Sequence, residues 1–599
     1  MKKSKTEFFY PILTTIIAII FCTFAWEYIL LPYSNPHEIV GSYSDQNYSV
    51  YNDTVRYLLF ITLPVAVFFL IFLIKVNRDD GYLRFHYSIF LLKRNEINKQ
   101  ISLKFLFLFL TITIILFLFR DWNIYPLDIF EEGMPLSGSQ IFEYDKKPWK
   151  DVYLNTGLFY DMLNGKISWL LTGQETIGSF RFYIKFLNLI STLLTIYFIF
   201  EISNQVIDEK LKIYFFIFCS ISVLYILKDA VLWWRDLPVL IFLISILKFL
   251  NTKKIIYLVS ISFISVFSFF WGLDRGFFIF ISLIPFLIFI FINNKKYFFG
   301  FILSIIFFWI MTVSIMGIEI FLNFFYHTKE ILSQHEMING LIHPKPFSDE
   351  PGATRASKTL VIIILNLIAS LIIVIKKEDF FLNNTRFLFI FFSILNFLTY
   401  KTALSRSDGA HIKAASYFSI ILFIIIFLYF VLYYLCKTNF FQNNLKKINA
   451  LIVALVILFF TNENISIKNI YDFPNNINNF ISMNDNRYIK EEYTKSLIQL
   501  KKLLNENDCV QAFSHDQAIY YLLKKRSCSK FYNIWVIGSK KNQLIYIDEL
   551  KINKPDFILT SGKLKYGNTE KTYPYISNYI NNEYSFYKSI HYWTILKKN

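Results

Sequence analysis

The chain has 599 residues, of which 55% are hydrophobic and only 18% are charged, and it contains 68 Phe but 18 Gly. Soluble domains carry about 25% charged residues and cannot bury this much apolar side chain. Apolar runs of about 15 to 25 residues, long enough to cross a bilayer core, separate the charged clusters. The composition therefore predicts a mainly α-helical, polytopic membrane protein and excludes a disulfide-dense, fibrous or wholly disordered chain.

The formal net charge of +17 does not predict a nucleic-acid partner, because Lys and Arg lie mostly in short tracts between apolar runs. Cytoplasmic connectors of membrane proteins carry such an excess of positive charge. Threading about 13 spans through the apolar runs places every such tract on the cytoplasmic side. The first run, residues 8–31, lacks a small-residue cleavage site and predicts an anchored helix. The N-terminus is then cytoplasmic and the C-terminus external.

Three regions follow from the hydropathy pattern. Residues 1–101 predict a pair of transmembrane helices with a cytoplasmic connector. Residues 102–461 predict the main transmembrane core, with a long first external loop at 120–181 and a second external loop at 323–358. Apolar runs stop near residue 461, and residues 462–599 predict a small extracytoplasmic α/β domain.

Helical spacing and short β-rich runs alternate in this last region. Helices are expected at 497–504 and 517–524, and strands at 509–513, 534–537 and 557–559. Cys509 and Cys528 both lie there, 19 residues apart on the oxidising side of the membrane, which predicts a disulfide. The alternative is a pair of buried free thiols.

The richest group of acidic residues follows the third predicted span. Asp128, Glu131 and Glu132 fall within five residues, flanked by several aromatic side chains. Neighbouring carboxylates repel one another, and partial burial raises a carboxyl pKa, which produces a general base near neutral pH. The alternative is a solvated acidic loop, although such loops rarely carry so many aromatic residues.

Further ionisable residues lie at the outer ends of later spans, where each group could also be a local ion pair, an aromatic belt or a helix cap. They are Arg235, Asp236, Asp274, Arg275, Arg406, Asp408 and His411. Arg and His at a membrane surface suit phosphate binding. The loop at 323–358 has irregularly spaced His residues and is expected to act as a lid. Since all these groups fall on the outer face, we expect one site built from several helix ends.

The segments Asp128–Gly133, Pro148–Asp151 and Asn155–Gly157 resemble the first external loop of GT-C glycosyltransferases. That superfamily includes protein O-mannosyltransferases and lipid A aminoarabinose transferases. The groups at 274–276 and 406–411 are also similar to those of poorly characterised bacterial members. In the best-known members the acidic loop follows the first helix, whereas here two additional helices precede it.

The resemblance implies a polyprenyl-phosphate-linked sugar donor and a glycan, lipid or protein acceptor at the outer face of the bacterial inner membrane, with the C-terminal domain in the periplasm. It implies inverting displacement at the sugar C1. Asp128 or Glu132 would take the acceptor proton, and Glu131 would tune its neighbour. The implied substrate- and phosphate-binding residues are Arg235, Asp236, Asp274, Arg275, Arg406, Asp408, His411 and Asp151.

No cofactor is expected, and a divalent cation is compatible with this chemistry although no ligand spacing indicates one. A transporter or flippase is the main alternative, but it predicts ionisable residues near mid-membrane. A ligase for lipid-linked envelope polymers and a membrane scaffold for envelope assembly also remain open at this stage.

Overall fold

The computed structural model describes most of the chain. The described residues are 2–80, 100–119, 122, 124–228, 230, 232–375, 385–437, 450, 454, 471–504, 506, 508–564 and 566–599. Much of the connector at 76–101 and the last predicted span before residue 461 lie outside these ranges.

Apolar helices dominate the described part of residues 2–437. They are α1 (Lys2–Ala25), α2 (Ser42–Asp45), α3 (Tyr51–Asp80), α4 (Leu103–Phe119), α5 (Gly133–Phe142), α6 (Asn164–Thr172), α7 (Ile177–Ser203), α8 (Glu209–Leu227), α9 (Leu237–Thr252), α10 (Ile255–Trp271), α11 (Leu273–Asn293), α12 (Lys295–Met316), α13 (Ile318–Asn339), α14 (Ala353–Ile375), α15 (Arg386–Thr399), α16 (Lys401–Ser405) and α17 (Gly409–Lys437).

Eight helical segments of the described chain are long and apolar enough to cross a membrane. They are Phe8–Tyr28, Tyr51–Ile74, Ile177–Ser203, Leu273–Asn293, Lys295–Met316, Ala353–Ile375, Arg386–Ser405 and Gly409–Leu435. Shorter apolar helices accompany them at Leu103–Leu118, Leu211–Leu227 and Ile255–Trp271. The chain is thus a polytopic helical membrane protein, as predicted, while the number of about 13 spans stays a prediction.

The predicted external loop at 120–181 is an ordered layer rather than an open connection. It contains α5, a π-helical turn at Phe159–Leu163, and α6. The predicted loop at 323–358 is helical over its first half, because α13 continues to Asn339. The described residues between α13 and α14 lack helix, and α13 packs beside α16. The lid expected at 323–358 stays a prediction.

The terminal domain combines short helices with one mixed sheet. Its elements are α18 (Phe473–Ser482), α19 (Glu491–Leu503), β1 (Cys509–Phe513), α20 (Ile519–Leu523), β2 (Arg526–Ser527), α21 (Lys540–Asn553), β3 (Phe557–Ser561), α22 (Thr569–Thr572), α23 (Pro574–Glu583), β4 (Tyr584–Ile590) and β5 (Trp593–Lys598). The strand order is β2-β1-β3-β5-β4, with β1 parallel to β2 and β3, and with β5 antiparallel to β3 and β4.

Most of the elements predicted for this domain are confirmed. The strand predicted at 534–537 is wrong, since Ile534–Ile537 forms a 3-10 turn begun by the Asn533 side chain. The hairpin of β4 and β5 was not predicted. The predicted disulfide is present between Cys509 and Cys528, and it ties the start of β1 to the residue that follows β2.

The terminal domain and the segment at 120–181 share one hydrophobic core. The Ser137 hydroxyl of α5 donates to the Gln517 carbonyl at 2.6 Å, and Leu127 N–H donates to the Tyr488 carbonyl at 2.7 Å. At Gly133 a Cβ atom would lie 2.5 Å from the Ala518 nitrogen, so the close approach requires glycine. The last part of the chain therefore fixes the segment that carries the predicted carboxylates.

Replacing both Cys509 and Cys528 by Ala should lower the unfolding free energy of the terminal domain by about 3 kcal/mol, because the bond closes a loop of about 20 residues in the unfolded chain. Thermal unfolding in detergent, with and without reductant, measures the effect. Reductant should destabilise the wild type and leave the double variant unchanged; equal sensitivity of the two proteins would contradict the expectation.

Candidate functional site

The acidic turn after α4 is organised by its own side chains. Asp128 Oδ1 accepts hydrogen bonds from the N–H groups of Phe130 and Glu131, both at 2.9 Å. Glu132 Oε2 accepts from the Asp128 N–H at 3.0 Å. Short polar side chains stabilise turns in this way. In this turn Asp128 is exposed, and the side chains of Glu131 and Glu132 point in different directions.

Both carboxylate oxygens of Glu132 accept hydrogen bonds from an arginine of α7. Arg181 Nε and Nη2 donate to the two carboxylate oxygens of Glu132 at 2.8 and 2.6 Å, a bidentate pair. The Arg181 side chain is 2% exposed, and its remaining donors bond the carbonyls of Tyr125 and Pro126. Arg181 is not among the predicted site residues, although an Arg within the first turns of an apolar span is a signal of a functional or structural role.

Glu131 points the other way, toward α17. Arg406 Nη1 donates to Glu131 Oε1 at 2.8 Å, and Arg406 Nε donates to Asp408 Oδ2 at 3.0 Å. Asp408 also accepts from the N–H groups of Ala410 and His411, which caps α17, and it contacts His411 Nδ1 at 2.8 Å. Burial opposes ionisation, but the hydrogen bonds from His411 and the Arg406 charge hold the pKa of Asp408 well below its usual range.

A second charged group lies where α9 and α11 begin. Arg275 Nε donates to Asp236 Oδ1 at 2.8 Å, and Arg275 Nη1 contacts Asp274 at short range. Arg235 reaches Asp274 only at 3.5 Å. Burial raises the pKa of the Asp236 carboxyl, although the Arg275 charge opposes the shift. Arg275 is thus held tightly between two carboxylates, and Arg235 is the more loosely held guanidinium.

Other side chains join these two groups into one site. Arg275 Nη1 donates to the Thr402 hydroxyl at 3.3 Å, and Thr402 lies on α16, four residues before Arg406. The Arg235 guanidinium lies 5.2 Å from the Tyr160 ring centroid. Burial raises the pKa of the Tyr160 hydroxyl, and the charges of both Glu131 and Arg406 also act on it.

His335 of α13 is a further member of the site. Burial lowers the pKa of its imidazole, and the charges of Asp274, Arg235 and Arg406 all act on it. Its Nε2 contacts Asn339 Nδ2 at 2.8 Å. The sequence predicts only that irregularly spaced His residues lie at 323–358, and it does not assign His335 to the site. His335 lies near the predicted site residues because α13 extends over 318–339.

The Asn155–Gly157 segment packs against the beginning of α11, where Leu273 N–H donates to the Thr156 carbonyl at 2.8 Å. Gly157 has φ +156°, and a Cβ there would lie 3.1 Å from Gly272 Cα. The N–H groups of Thr156 and Gly157 donate to Asp161 Oδ2 at 2.7 and 3.3 Å. Asp161 is buried, and burial raises the pKa of its carboxyl to about 6 against the effect of these donors.

Asp151 lies apart from the other predicted residues. Its carboxylate accepts from Lys147 N–H at 3.0 Å, and it lines a polar cavity with residues of the terminal domain that surround Cys528. Within the described residues it makes no hydrogen bond or ion pair to the site. The structure therefore brings together Glu131, Arg235, Asp236, Asp274, Arg275, Arg406, Asp408 and His411, with Asp128 and Glu132 in the adjoining turn.

Comparisons with known proteins return a distant structural likeness. No family model and no curated protein matches the chain. The fold is similar to the crystal structure of ArnT from Cupriavidus metallidurans bound to undecaprenyl phosphate, at 10% sequence identity and a TM-score of 0.42. The match covers 83% of this chain and 98% of that one. At this distance the likeness assigns neither a family nor an activity.

The adjacent glutamates should differ in their effect on stability. Glu132→Gln should lower the unfolding free energy by about 3 kcal/mol, because it leaves the buried Arg181 charge without its counter-ion. Glu131→Gln should change it by less than about 1 kcal/mol, since Glu131 is 41% exposed. Thermal unfolding of the two variants in the same detergent checks the contrast. Equal destabilisation by both substitutions would contradict it.

Asp161 should make stability depend on pH. Between about pH 4 and pH 6 the carboxyl is ionised in the unfolded chain but still protonated in the fold, so stability falls as pH rises through this window. From pH 4 to pH 7 the wild type should lose about 3 kcal/mol relative to Asp161→Asn, which keeps an oxygen acceptor for Thr156 N–H. Unfolding at a series of pH values measures the difference; parallel profiles of the two proteins would refute the assignment.

Proposed function

We propose that the protein is an integral membrane glycosyltransferase that moves a sugar from a polyprenyl-phosphate donor to an envelope glycan, lipid or protein acceptor. The reaction takes place at the outer face of a bacterial inner membrane, with the N-terminus cytoplasmic and the terminal domain periplasmic. One observation carries the proposal: carboxylates and arginines from four separate helix ends and the acidic turn meet beside the terminal domain. This combination suits an anionic, lipid-linked substrate.

Arg235 is the residue best placed to bind the donor phosphate. Among its contacts with described residues, the ion pair with Asp274 is long, at 3.5 Å, and the other is the face of the Tyr160 ring. A phosphate can therefore bind its free donors without breaking a close ion pair. Arg406 lies beside Glu131 and supplies further positive charge. Charge that develops on the departing phosphate is stabilised by these groups.

Glu131 is the preferred general base of the three candidates. Glu132 has both oxygens bound to Arg181, so it acts as a positioning residue for the turn. Asp128 uses one oxygen to accept two backbone N–H groups. Glu131 makes a single ion pair and keeps one oxygen available, within the described residues, for an acceptor hydroxyl. Asp128 is the second candidate, because its other oxygen is exposed.

The step follows from these roles. The acceptor hydroxyl attacks C1 of the donor sugar while its proton passes to the Glu131 carboxylate. The bond between C1 and the phosphate oxygen breaks, and its electron pair stays on the phosphate, which Arg235 and Arg406 hold. Attack opposite the leaving group inverts the configuration at C1. Asp408 orients Arg406 and contacts the His411 ring, and Asp236 orients Arg275, so the two guanidinium groups stay in place through the step.

Glu131→Gln should lower transfer by about 100-fold or more, because it removes the proton acceptor. The full-length protein in detergent is given a panel of polyprenyl-phosphate-linked hexoses and pentoses with a membrane glycolipid fraction, and release of polyprenyl phosphate is measured. Arg235→Met should reduce the same rate by weakening phosphate stabilisation.

Glu143→Gln is the matched control, because Glu143 lies in the same outer segment and is paired with Lys166 rather than with a site residue. It should retain activity within about twofold. The proposal fails if the wild type leaves the whole panel unchanged, or if Glu131→Gln is as active as the control. A polymer ligase would release polyprenyl diphosphate, and a transporter would move donor across vesicles without breaking the C1–oxygen bond.

A further inference from the structure

We propose that Trp535 and Tyr566 of the terminal domain, together with Phe130, form a binding shelf for a sugar ring of the acceptor. This acceptor shelf rests on the proposed function and specifies it: the acceptor carries carbohydrate next to the hydroxyl that is modified. The three residues come from two different parts of the chain and meet at the edge of the site.

The acceptor shelf is a group of three packed rings, of which Tyr566 is exposed. The Tyr566 ring centroid lies 5.2 Å from that of Phe130 and 5.5 Å from that of Trp535, and Phe130 lies 5.6 Å from Trp535. Phe130 is 8% exposed and forms the base, whereas Tyr566 is 41% exposed. Trp535 is half-buried, and its Nε1–H donates to Asn339 Oδ1 at 3.0 Å.

The loop that presents Tyr566 is held by a buried carboxylate. Asp516 accepts from the N–H groups of Lys563 and Leu564, both at 2.8 Å, and Tyr566 N–H donates to His515 Nδ1 at 3.3 Å. Gly562, at the start of this loop, has φ +73° and no room for a Cβ beside Ser514. These hydrogen bonds hold the backbone at Lys563, Leu564 and Tyr566, and a ring on a backbone held in this way loses less entropy on binding.

The shelf lies beside the proposed base. Phe130 directly precedes Glu131 in the chain, and the charges of Asp128, Glu131 and Arg406 are near enough to act on the Tyr566 hydroxyl. Asn339, which holds Trp535, also contacts His335 of the site. A ring resting on Tyr566 thus has charged hydrogen-bonding groups along one edge.

This combination fits a sugar better than a lipid chain or a peptide. A pyranose has an apolar face of C–H groups and a rim of hydroxyl groups. It therefore needs aromatic surface bordered by a few placed polar side chains. The Tyr566 and Trp535 rings supply the aromatic surface. Asp128, Glu131 and Arg406 supply the polar side chains that border it. A lipid chain would need a longer, uncharged apolar surface than these three rings provide.

Binding of soluble carbohydrate probes, measured without donor or turnover, tests the shelf. Saturation-transfer NMR of the full-length protein in detergent is run with methyl α-mannoside, methyl β-glucoside and chitobiose. At least one probe should bind the wild type, and Tyr566→Ala and Trp535→Ala should weaken it about fivefold to tenfold. Tyr566→Phe should bind within about twofold of wild type, because the ring remains.

Tyr566→Leu covers the case in which the Ala variants fold poorly, since it keeps apolar bulk on Phe130 but removes the aromatic face. Tyr587→Ala is the matched control, because Tyr587 is 48% exposed on β4 and is not part of the shelf. The shelf is overturned if no probe binds the wild type, or if Tyr566→Leu binds as well as Tyr587→Ala. Because no turnover is involved, this result is independent of whether the transferase assay succeeds.

Discussion

An arginine at the end of a membrane helix must have its charge compensated, and Arg275 meets this constraint with two carboxylates. Asp274 is its neighbour on α11, but Asp236 comes from the beginning of α9. A buried charge that loses its partner is strongly destabilising. The ion pair between Arg275 and Asp236 therefore fixes the distance between the beginnings of α9 and α11. Arg181 with Glu132 does the same for α7 against the acidic turn, so the buried ion pairs set the dimensions of the site.

These pairs also divide the charged residues into two kinds. Arg181 and Arg275 are buried and bound on several sides, which suits positioning. Among the described residues, Arg235 and Glu131 each form one ion pair with an opposite charge, and that contact is either long or half-exposed. Groups of the second kind can exchange a protein partner for a substrate at small cost. The division separates Glu131 from Glu132 and favours Glu131 as the base, whereas the resemblance implied Asp128 or Glu132 in that role and Glu131 as the residue that tunes its neighbour.

The sequence predicts the parts of this molecule that depend on local pattern. Apolar length gives the membrane helices, β-rich runs give β1 and β3, and two cysteines in a domain predicted to be external give the disulfide. It misses what depends on distant partners: the hairpin of β4 and β5 is stabilised by pairing with β3, and residues 534–537 follow a capping side chain rather than their β-rich composition. Asp151 lies in a segment that resembles the GT-C motif. In the structure, however, it lines a cavity beside Cys528 and not the site. His335 belongs to the site only because α13 extends farther than the hydropathy pattern indicates.

The shared core between residues 120–181 and the terminal domain has a consequence for the order of synthesis. Ser137 bonds Gln517, and Leu127 bonds Tyr488, so the acidic turn is held by contacts with residues made several hundred positions later. A nascent chain that has completed its membrane helices still lacks these supports. Glu131 and Arg406 therefore reach their final arrangement only after nearly the whole polypeptide has been made. A truncated or stalled product would contain every charged residue of the site and would not hold them together.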